Sequence, residues 1–107
     1  MNRGEIRRLK GQKRSRGHEQ RVARFAVVLQ ADELAPLSTV IIAPTSGSAP
    51  PRMFRPEIEI EGRRTRVLLE QNRAVDHSRL GALVGSLSRS ELEDVDVALR
   101  RVLGLDA

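Results

Sequence analysis

The chain has 107 residues, of which 39% are hydrophobic, so it can form one small domain with a thin core and is not wholly disordered. It has no cysteine, which excludes disulfides, thiol catalysis and cysteine-based zinc sites. The net charge of +5 is uneven, because residues 1–24 hold nine Arg or Lys against two Glu, and such a basic segment indicates a polyanionic partner.

Aromatic residues and long apolar stretches are both scarce. Phe25 and Phe54 are the only aromatic residues in the sequence, so an aromatic stacking platform for unpaired bases is excluded. No segment is apolar over the length of a membrane span, and the N-terminal stretch lacks the apolar region of a secretion signal. The two histidines lie in unrelated segments. We therefore expect a cytoplasmic protein of one domain, residues 1–107, with no membrane contact, no metal site and no cofactor.

In chain order, the hydrophobic pattern predicts mostly short strands. Residues 25–29 are apolar without interruption, which is typical of a central strand, whereas residues 57–61 alternate between Glu and Ile, which is typical of a half-exposed strand. The predicted strands cover residues 4–9, 24–30, 38–45, 57–61, 65–71 and 82–87. The segments predicted as loops or single helical turns cover residues 10–20, 31–37, 46–55 and 75–81.

A C-terminal helix is the clearest predicted element. Ser88 and Glu91 form an S-x-x-E capping box, and apolar residues recur behind it at helical spacing. Gly104 follows this periodic segment, at a place where glycine commonly ends a helix. Short strands with one terminal helix predict a mainly β protein, in which a helix packs across a small antiparallel, barrel-like sheet.

The candidate chemistry centres on Arg24, at the start of the apolar strand, and on Thr45, at the end of the next strand. Arg24 is either a solvated strand end or a rigidly mounted phosphate ligand, because a guanidinium presents a planar fork to phosphate oxygens. The sequence shows no nucleophilic triad and no glycine-rich phosphate loop. RNA carries its own nucleophile, the 2′-hydroxyl, so a site with neither a metal nor a nucleophile favours RNA over DNA as the substrate. Further polar candidates are His18, Glu19, Gln20, Glu70 and Gln71.

Five blocks of the sequence, in order, closely resemble the MazF/PemK family of toxins. They are RGEI (residues 3–6), GHEQRVARFAVVLQ (17–30), TVIIAPTS (39–46), VLLEQNRAVDHSRLG (67–81) and GSLSRSELEDVDVALRRVLGL (85–105). The resemblance implies a compact SH3-like barrel with added helices, which forms a homodimer. It also implies a metal-independent endoribonuclease that cuts single-stranded RNA to 2′,3′-cyclic phosphate and 5′-hydroxyl ends and is inhibited by an acidic cognate antitoxin.

Residue by residue, the resemblance implies catalytic roles for Arg24 and Thr45. It also matches His18, Glu19 and Gln20 to the Ser/His-Glu-Gln segment of the family, and we expect the histidine and the glutamate to share in catalysis. The loop over residues 10–19 is expected to be a mobile basic lid over RNA, and the loop over residues 46–55 to be the opposite wall. The expected RNA-binding residues are Lys10, Lys13, Arg14, Arg16, Gln20, Arg21, Ser46, Arg52, Glu70 and Gln71.

Three positions depart from the family pattern. Phe25 stands where the family usually has proline after the catalytic arginine, and Arg7 where it commonly has an aromatic residue. Leu68 stands where the PemK branch has an arginine before its acid, so proton transfer falls on Arg24 or on the histidine and glutamate of the first loop. Two other functions stay open: an RNA-binding barrel that does not cut, and a gyrase-poison-like toxin of the same fold.

Overall fold

Short runs of aliphatic and β-branched residues form seven strands in the part of the chain described by the structure, which is a computed structural model covering residues 1–10 and 24–105. Three single 3₁₀ turns and one α-helix accompany them. The strands are β1 (Glu5–Leu9), β2 (Phe25–Val28), β3 (Thr39–Ser46), β4 (Glu57–Ile60), β5 (Arg63–Val67), β6 (Arg73–Asp76) and β7 (Leu80–Ser86). The 3₁₀ turns are Asp32–Leu34, Leu69–Gln71 and His77–Arg79, and the helix is α1 (Arg89–Leu103).

Neighbouring strands of the sheet pair antiparallel, in the order β4-β5-β3-β2-β1-β7. β6 lies outside this order because it pairs with the first half of β3, whereas the end of β3 pairs with β5. β2 occupies the middle of the sheet, where Val27 lies between Ile6 of β1 and Ala43 of β3. The predicted central place of this strand is therefore confirmed.

Two groups of buried side chains, one on each face of β2, make up the core. Successive side chains of a strand point to opposite faces, so Val27 enters one group while Ala26 and Val28 enter the other. α1 packs on the first group through Val95 and Ala98. Because both of its faces are buried, β2 is a rigid support for the residues at its ends.

Glu91 joins the start of α1 to the edge of the sheet. Its Oε1 accepts a hydrogen bond from the Ser88 N–H at 2.9 Å, and the Ser88 hydroxyl accepts one from the Glu91 N–H at 3.0 Å, so the predicted capping box is confirmed. The other oxygen, Oε2, accepts a hydrogen bond from the N–H of Glu59 in β4 at 2.9 Å. Gly104 ends the helix as predicted, with a left-handed φ of 70°. Within residues 1–10 and 24–105, no helix is long and apolar enough to cross a membrane.

The mainly β, barrel-like architecture with a C-terminal helix is confirmed, but the strand predicted over residues 65–71 is wrong at both ends. The strand begins earlier, at Arg63, and ends at Val67. After the strand, the backbone forms a 3₁₀ turn over Leu69–Gln71, and the side chain of Leu69 in this turn is fully buried. The sequence pattern misses this change because a short apolar run looks the same in a strand and in a buried turn.

The sequence pattern also misses β6. Val75 is the only buried residue of this four-residue strand, so its sequence lacks the alternation that indicates a half-buried strand. The helical turn predicted over residues 75–81 is shorter, because it covers only His77–Arg79. Asp76 caps this turn as predicted, since its Oδ1 accepts a hydrogen bond from the Ser78 N–H at 2.9 Å.

Replacing Glu91 with Ala is expected to lower the free energy of unfolding by about 1–2 kcal/mol, because the change removes one half of the capping box and leaves the N–H groups of Ser88 and Glu59 without their partner. Glu93→Ala is the matched control, since Glu93 is exposed in the same turn of α1, and it should change the stability by less than about 0.5 kcal/mol. Urea unfolding followed by circular dichroism measures both variants. Equal stabilities for the two would contradict the double role of Glu91.

Candidate active site

Arg24 and Thr45 lie at the same end of the β2–β3 pair. Arg24 directly precedes β2 and is exposed, while its carbonyl accepts a hydrogen bond from the Leu9 N–H at 2.9 Å. Thr45 Oγ1 donates to the carbonyl of Phe25 at 3.4 Å, so this hydroxyl contacts the residue that follows Arg24. The fold thus brings together two candidates that are far apart in the sequence.

Two of the residues that depart from the family pattern have structural partners. Phe25 is half-buried against the core group that contains Val27, and the guanidinium of Arg8, its partner in β1, lies 5.2 Å from the centroid of its ring. These contacts hold the backbone next to Arg24 by packing, whereas a proline would hold it through its own ring. Arg7 donates to Glu5 Oε1 at 2.9 Å and to a backbone carbonyl of β7 at 3.0 Å, so it fastens β1 to its neighbour.

The third departure, Leu68, is a core position. Its side chain is buried, and its N–H donates to a carbonyl of β3 at 2.9 Å. The residues just before it pair with the end of β3, Val67 with Thr45 and Arg66 with Ser46. β5 therefore flanks the candidate site on the side away from β2, and Leu68 supplies no group for proton transfer.

Glu70 is held by Arg55, which joins the 46–55 loop to the turn after β5. Nε and Nη2 of Arg55 both donate to Glu70 Oε2, at 3.0 and 2.7 Å, and Nη1 donates to the Pro50 carbonyl at 3.1 Å. Burial raises the pKa of the Glu70 carboxyl, but the hydrogen bonds from Arg55 and from the Glu70 backbone outweigh it, so the pKa lies below its ordinary value of 4.5. The expected contact of Glu70 with RNA would compete with this ion pair.

The remaining expected RNA-binding residues differ in how far the structure describes them. Lys10 is exposed and follows β1 next to Arg24, and its backbone is fixed by Arg79, whose Nε donates to the Lys10 carbonyl at 2.7 Å. Arg52, in the 46–55 loop, and Gln71, in the turn after β5, are both exposed. The other expected site residues lie outside the described residues: Lys13, Arg14, Arg16, His18, Glu19, Gln20 and Arg21.

Sequence reasoning misses Arg55 and Arg66, which both border this site. A lone acid after an apolar strand, such as Glu70, indicates an arginine partner, but nothing in the sequence says which arginine. In the part of the chain that the structure describes, no group of three or more His, Asp or Glu residues is placed to hold a metal ion. The described site is an exposed, cationic end of the β2–β3 pair, bordered by β5 and the 46–55 loop.

Comparison of the sequence with known proteins identifies the family of the chain. Residues 2–103 match the family described as PemK-like, MazF-like toxin of type II toxin-antitoxin system. A Mycobacterium tuberculosis protein, Rv3098A, named as a candidate toxin, is 41% identical over 104 residues, which cover 96% of this chain and 97% of the relative. The predicted resemblance to the MazF/PemK family is thereby confirmed.

Solved structures share the fold at low sequence identity. The Mycobacterium tuberculosis toxin MazF-mt6 superposes with a TM-score of 0.77 at 17% identity, covering 96% of this chain and 99% of that chain. MazE-MazF (Form-II) from Deinococcus radiodurans gives 0.80 at 23% identity, covering 99% and 97%. A mycobacterial endoribonuclease in complex with its cognate antitoxin gives 0.78 at 14% identity, covering 100% and 98%. The predicted barrel-like fold is therefore the fold of MazF toxins.

Glu70→Gln is expected to destabilise the protein near neutral pH by at most about 1 kcal/mol, because it removes the charge that Arg55 holds. The folded-state pKa of Glu70 lies below its ordinary value of 4.5, so the pair contributes stability above that pH and loses it as the pH falls through the lower, folded-state pKa. The difference between wild type and variant should therefore vanish in acid.

Thermal unfolding at about pH 7 and about pH 3 measures this difference. Glu59→Gln is the control, because the Glu59 side chain is exposed in neighbouring β4, and its effect should be smaller at neutral pH. A Glu70 effect that grows in acid would show that the carboxylate is not stabilised by Arg55.

Proposed function

The chain belongs to the PemK-like, MazF-like family of toxins of type II toxin–antitoxin systems, and we propose that it is an endoribonuclease that cuts single-stranded RNA without a metal ion. The observation that carries the proposal is that Arg24 and Thr45 lie close together at the exposed end of two core strands. A guanidinium and a hydroxyl at a rigid strand end can bind the oxygens of one phosphodiester. In this proposal residues 1–107 act as a single domain in the cytoplasm.

The RNA supplies the nucleophile in this mechanism. Its 2′-oxygen attacks the adjacent phosphorus and the bond from phosphorus to the 5′-oxygen breaks, which gives a 2′,3′-cyclic phosphate and a 5′-hydroxyl. One proton leaves the 2′-hydroxyl and one reaches the departing 5′-oxygen, so the step needs a base and an acid. Arg24 neutralises the charge that develops on the non-bridging oxygens, and the Thr45 hydroxyl exchanges its long hydrogen bond to the Phe25 carbonyl for one to these oxygens. We assign the proton transfers to His18 and Glu19.

The buried strand behind Arg24 supports this role. Ala26, Val27 and Val28 are almost completely buried, so the backbone that carries Arg24 cannot shift without disturbing the core. The hydrogen bond from the Leu9 N–H fixes the carbonyl of Arg24 as well. A charge that is in place before the substrate arrives stabilises the transition state without a cost of reorganisation.

The proposed partners are single-stranded RNA, a second copy of the chain and an acidic antitoxin. The basic segment over residues 1–24, with nine Arg or Lys against two Glu, leads to Arg24, so RNA and an acidic peptide would meet the same cations. A disordered acidic segment that folds on contact could cover those cations. We propose that the antitoxin inhibits by competing with RNA.

Arg24→Ala is expected to lower the rate of RNA cleavage by two to three orders of magnitude or more, since one preorganised donor stabilises the transition state by about 3–4 kcal/mol. Thr45→Ala should lose less. The control is Arg101→Ala, because Arg101 is exposed in the last turn of α1. The measurement is cleavage of a long single-stranded RNA in EDTA, with analysis of the fragment ends.

The same assay separates the two other functions. RNA that is bound but left intact by the wild type would indicate a binding module. Neither binding nor cleavage, together with inhibition of gyrase, would indicate a toxin with a protein target. Cleavage at the wild-type rate by Arg24→Ala would show that the catalytic site lies elsewhere.

Competition between RNA and antitoxin is the second test. A saturating amount of uncleavable RNA is expected to expel an acidic antitoxin peptide from the wild type, and both ligands should bind more weakly as the salt concentration rises. Fluorescence anisotropy of a labelled peptide at two ionic strengths measures both effects. A stable ternary complex, with one RNA and one peptide per site, is incompatible with the competitive proposal.

A further inference from the structure

A row of polar side chains crosses the sheet at the candidate site. The antiparallel β2–β3 ladder ends at the pair Ala26–Pro44, and Arg24 and Ser46 each lie two residues beyond this pair, at the same end of the two strands. Ser46 in turn pairs with Arg66 of β5. Residues directly opposite each other in neighbouring strands have their side chains on the same face of the sheet. Ser46 and Arg66 therefore lie side by side on one face of the sheet, and Arg24 lies at the same end of the sheet, beyond the last β2–β3 pair.

Arg66 is held firmly against this face. Its side chain is 25% exposed, and its Nη1 donates to the Arg55 carbonyl at 3.2 Å. Arg64, the next residue on the same face of β5, has a side chain that is 82% exposed. An arginine with restricted freedom loses less conformational entropy when it binds a ligand.

The charge of Arg66 is also less compensated than that of Arg64. Glu57 of β4 contacts both arginines, but its Oε2 lies 2.9 Å from Nη1 of Arg64, whereas its Oε1 lies 3.6 Å from Nη2 of Arg66. In β4, Arg64 pairs in register with Glu59 and Arg66 with Glu57, so each arginine has an acid opposite it, while the neighbour of Arg66 in β3 is the uncharged Ser46. The longer ion pair of Arg66 leaves its positive charge the less compensated of the two, and this charge lies nearer to the strand end that carries Arg24.

We infer that Arg66 is a second phosphate-binding residue of the RNA site, and that it binds the RNA backbone together with Ser46 and across from Arg24. This inference rests on the proposed function, and it assigns a role in substrate binding and not in proton transfer. About two strand spacings, or roughly 10 Å, separate the backbones of the two arginines. Their long side chains can therefore bind one strand of RNA at adjacent places.

The test measures the salt dependence of RNA binding. Cleavage sites are first mapped on a long single-stranded RNA, and an oligonucleotide with the mapped sequence then carries a 2′-O-methyl group at the cut, which blocks the nucleophile. Arg66→Gln is expected to weaken binding of this oligonucleotide about tenfold and to flatten the plot of log K against log salt by about 0.7. Arg66→Lys keeps the charge and should keep the slope.

Arg64→Gln is the matched control, because it removes an equal charge from the same face of the same strand and also loses a contact with Glu57. It is expected to leave the slope unchanged. Steady-state cleavage of the unmodified RNA by Arg66→Gln should show a raised KM with kcat within about twofold of the wild type. This result is expected when the lost interaction stabilised the bound substrate and the transition state equally.

The outcomes separate this inference from the proposed function. A wild type that cuts RNA, with an unchanged slope in Arg66→Gln, overturns the inference alone. An equal flattening of the salt dependence in Arg64→Gln and Arg66→Gln also overturns the inference, because the effect would then come from the overall positive charge of β5 and not from a contact made by Arg66. A fall in kcat without a change in binding would assign Arg66 to catalysis instead. A wild type that neither binds nor cuts RNA overturns the proposed function, and the inference with it.

Discussion

The geometry of the protein depends on one strand, β3, which changes its hydrogen-bonding partner partway along its length. Ile42 pairs with β6 and Thr45 pairs with β5. The segment that connects β5 to β6 therefore leaves the sheet opposite Pro44. The N–H and C=O of a strand residue point to the same edge. Pro44 accepts a hydrogen bond from the Leu68 N–H at that edge but has no N–H to donate in return. The missing donor coincides with the place where β5 gives way to a turn.

The candidate site follows from this change of partner. The turn that fills the gap buries Leu69 and presents Glu70 outward, and Glu70 anchors the 46–55 loop through Arg55. On the opposite edge of β3, β2 keeps its pairing as far as Ala26, so Arg24 follows at the end of a buried strand. Binding groups placed on strand ends and loops can vary without disturbing the core that supports them.

Features that depend on residues close together in the sequence could be predicted, whereas features that depend on contacts between distant segments could not. The cap of α1 depends on Ser88 and Glu91, which are three residues apart, and the uninterrupted apolar run marks β2 as central, so both features could be predicted. The single buried residue of β6 left no pattern to recognise. The apolar runs placed Arg24 at the start of one strand and Thr45 at the end of the next, but the catalytic roles of the two residues followed only from the resemblance to the toxin family. The ion pair of Arg55 depends on a loop and a turn meeting in space, which spacing in the sequence does not encode.

The carboxylate of Glu91 has a consequence beyond the start of α1. β4 lies at one end of the sheet order, and the free N–H and C=O groups of such an edge strand are a template for pairing with another chain. One of those donors, the Glu59 N–H, is satisfied because it donates a hydrogen bond to Glu91. The glutamates of β4 add negative charge along the same strand. Side-chain protection of an edge opposes strand addition between molecules. One carboxylate thereby opposes the edge-to-edge pairing with which aggregation begins.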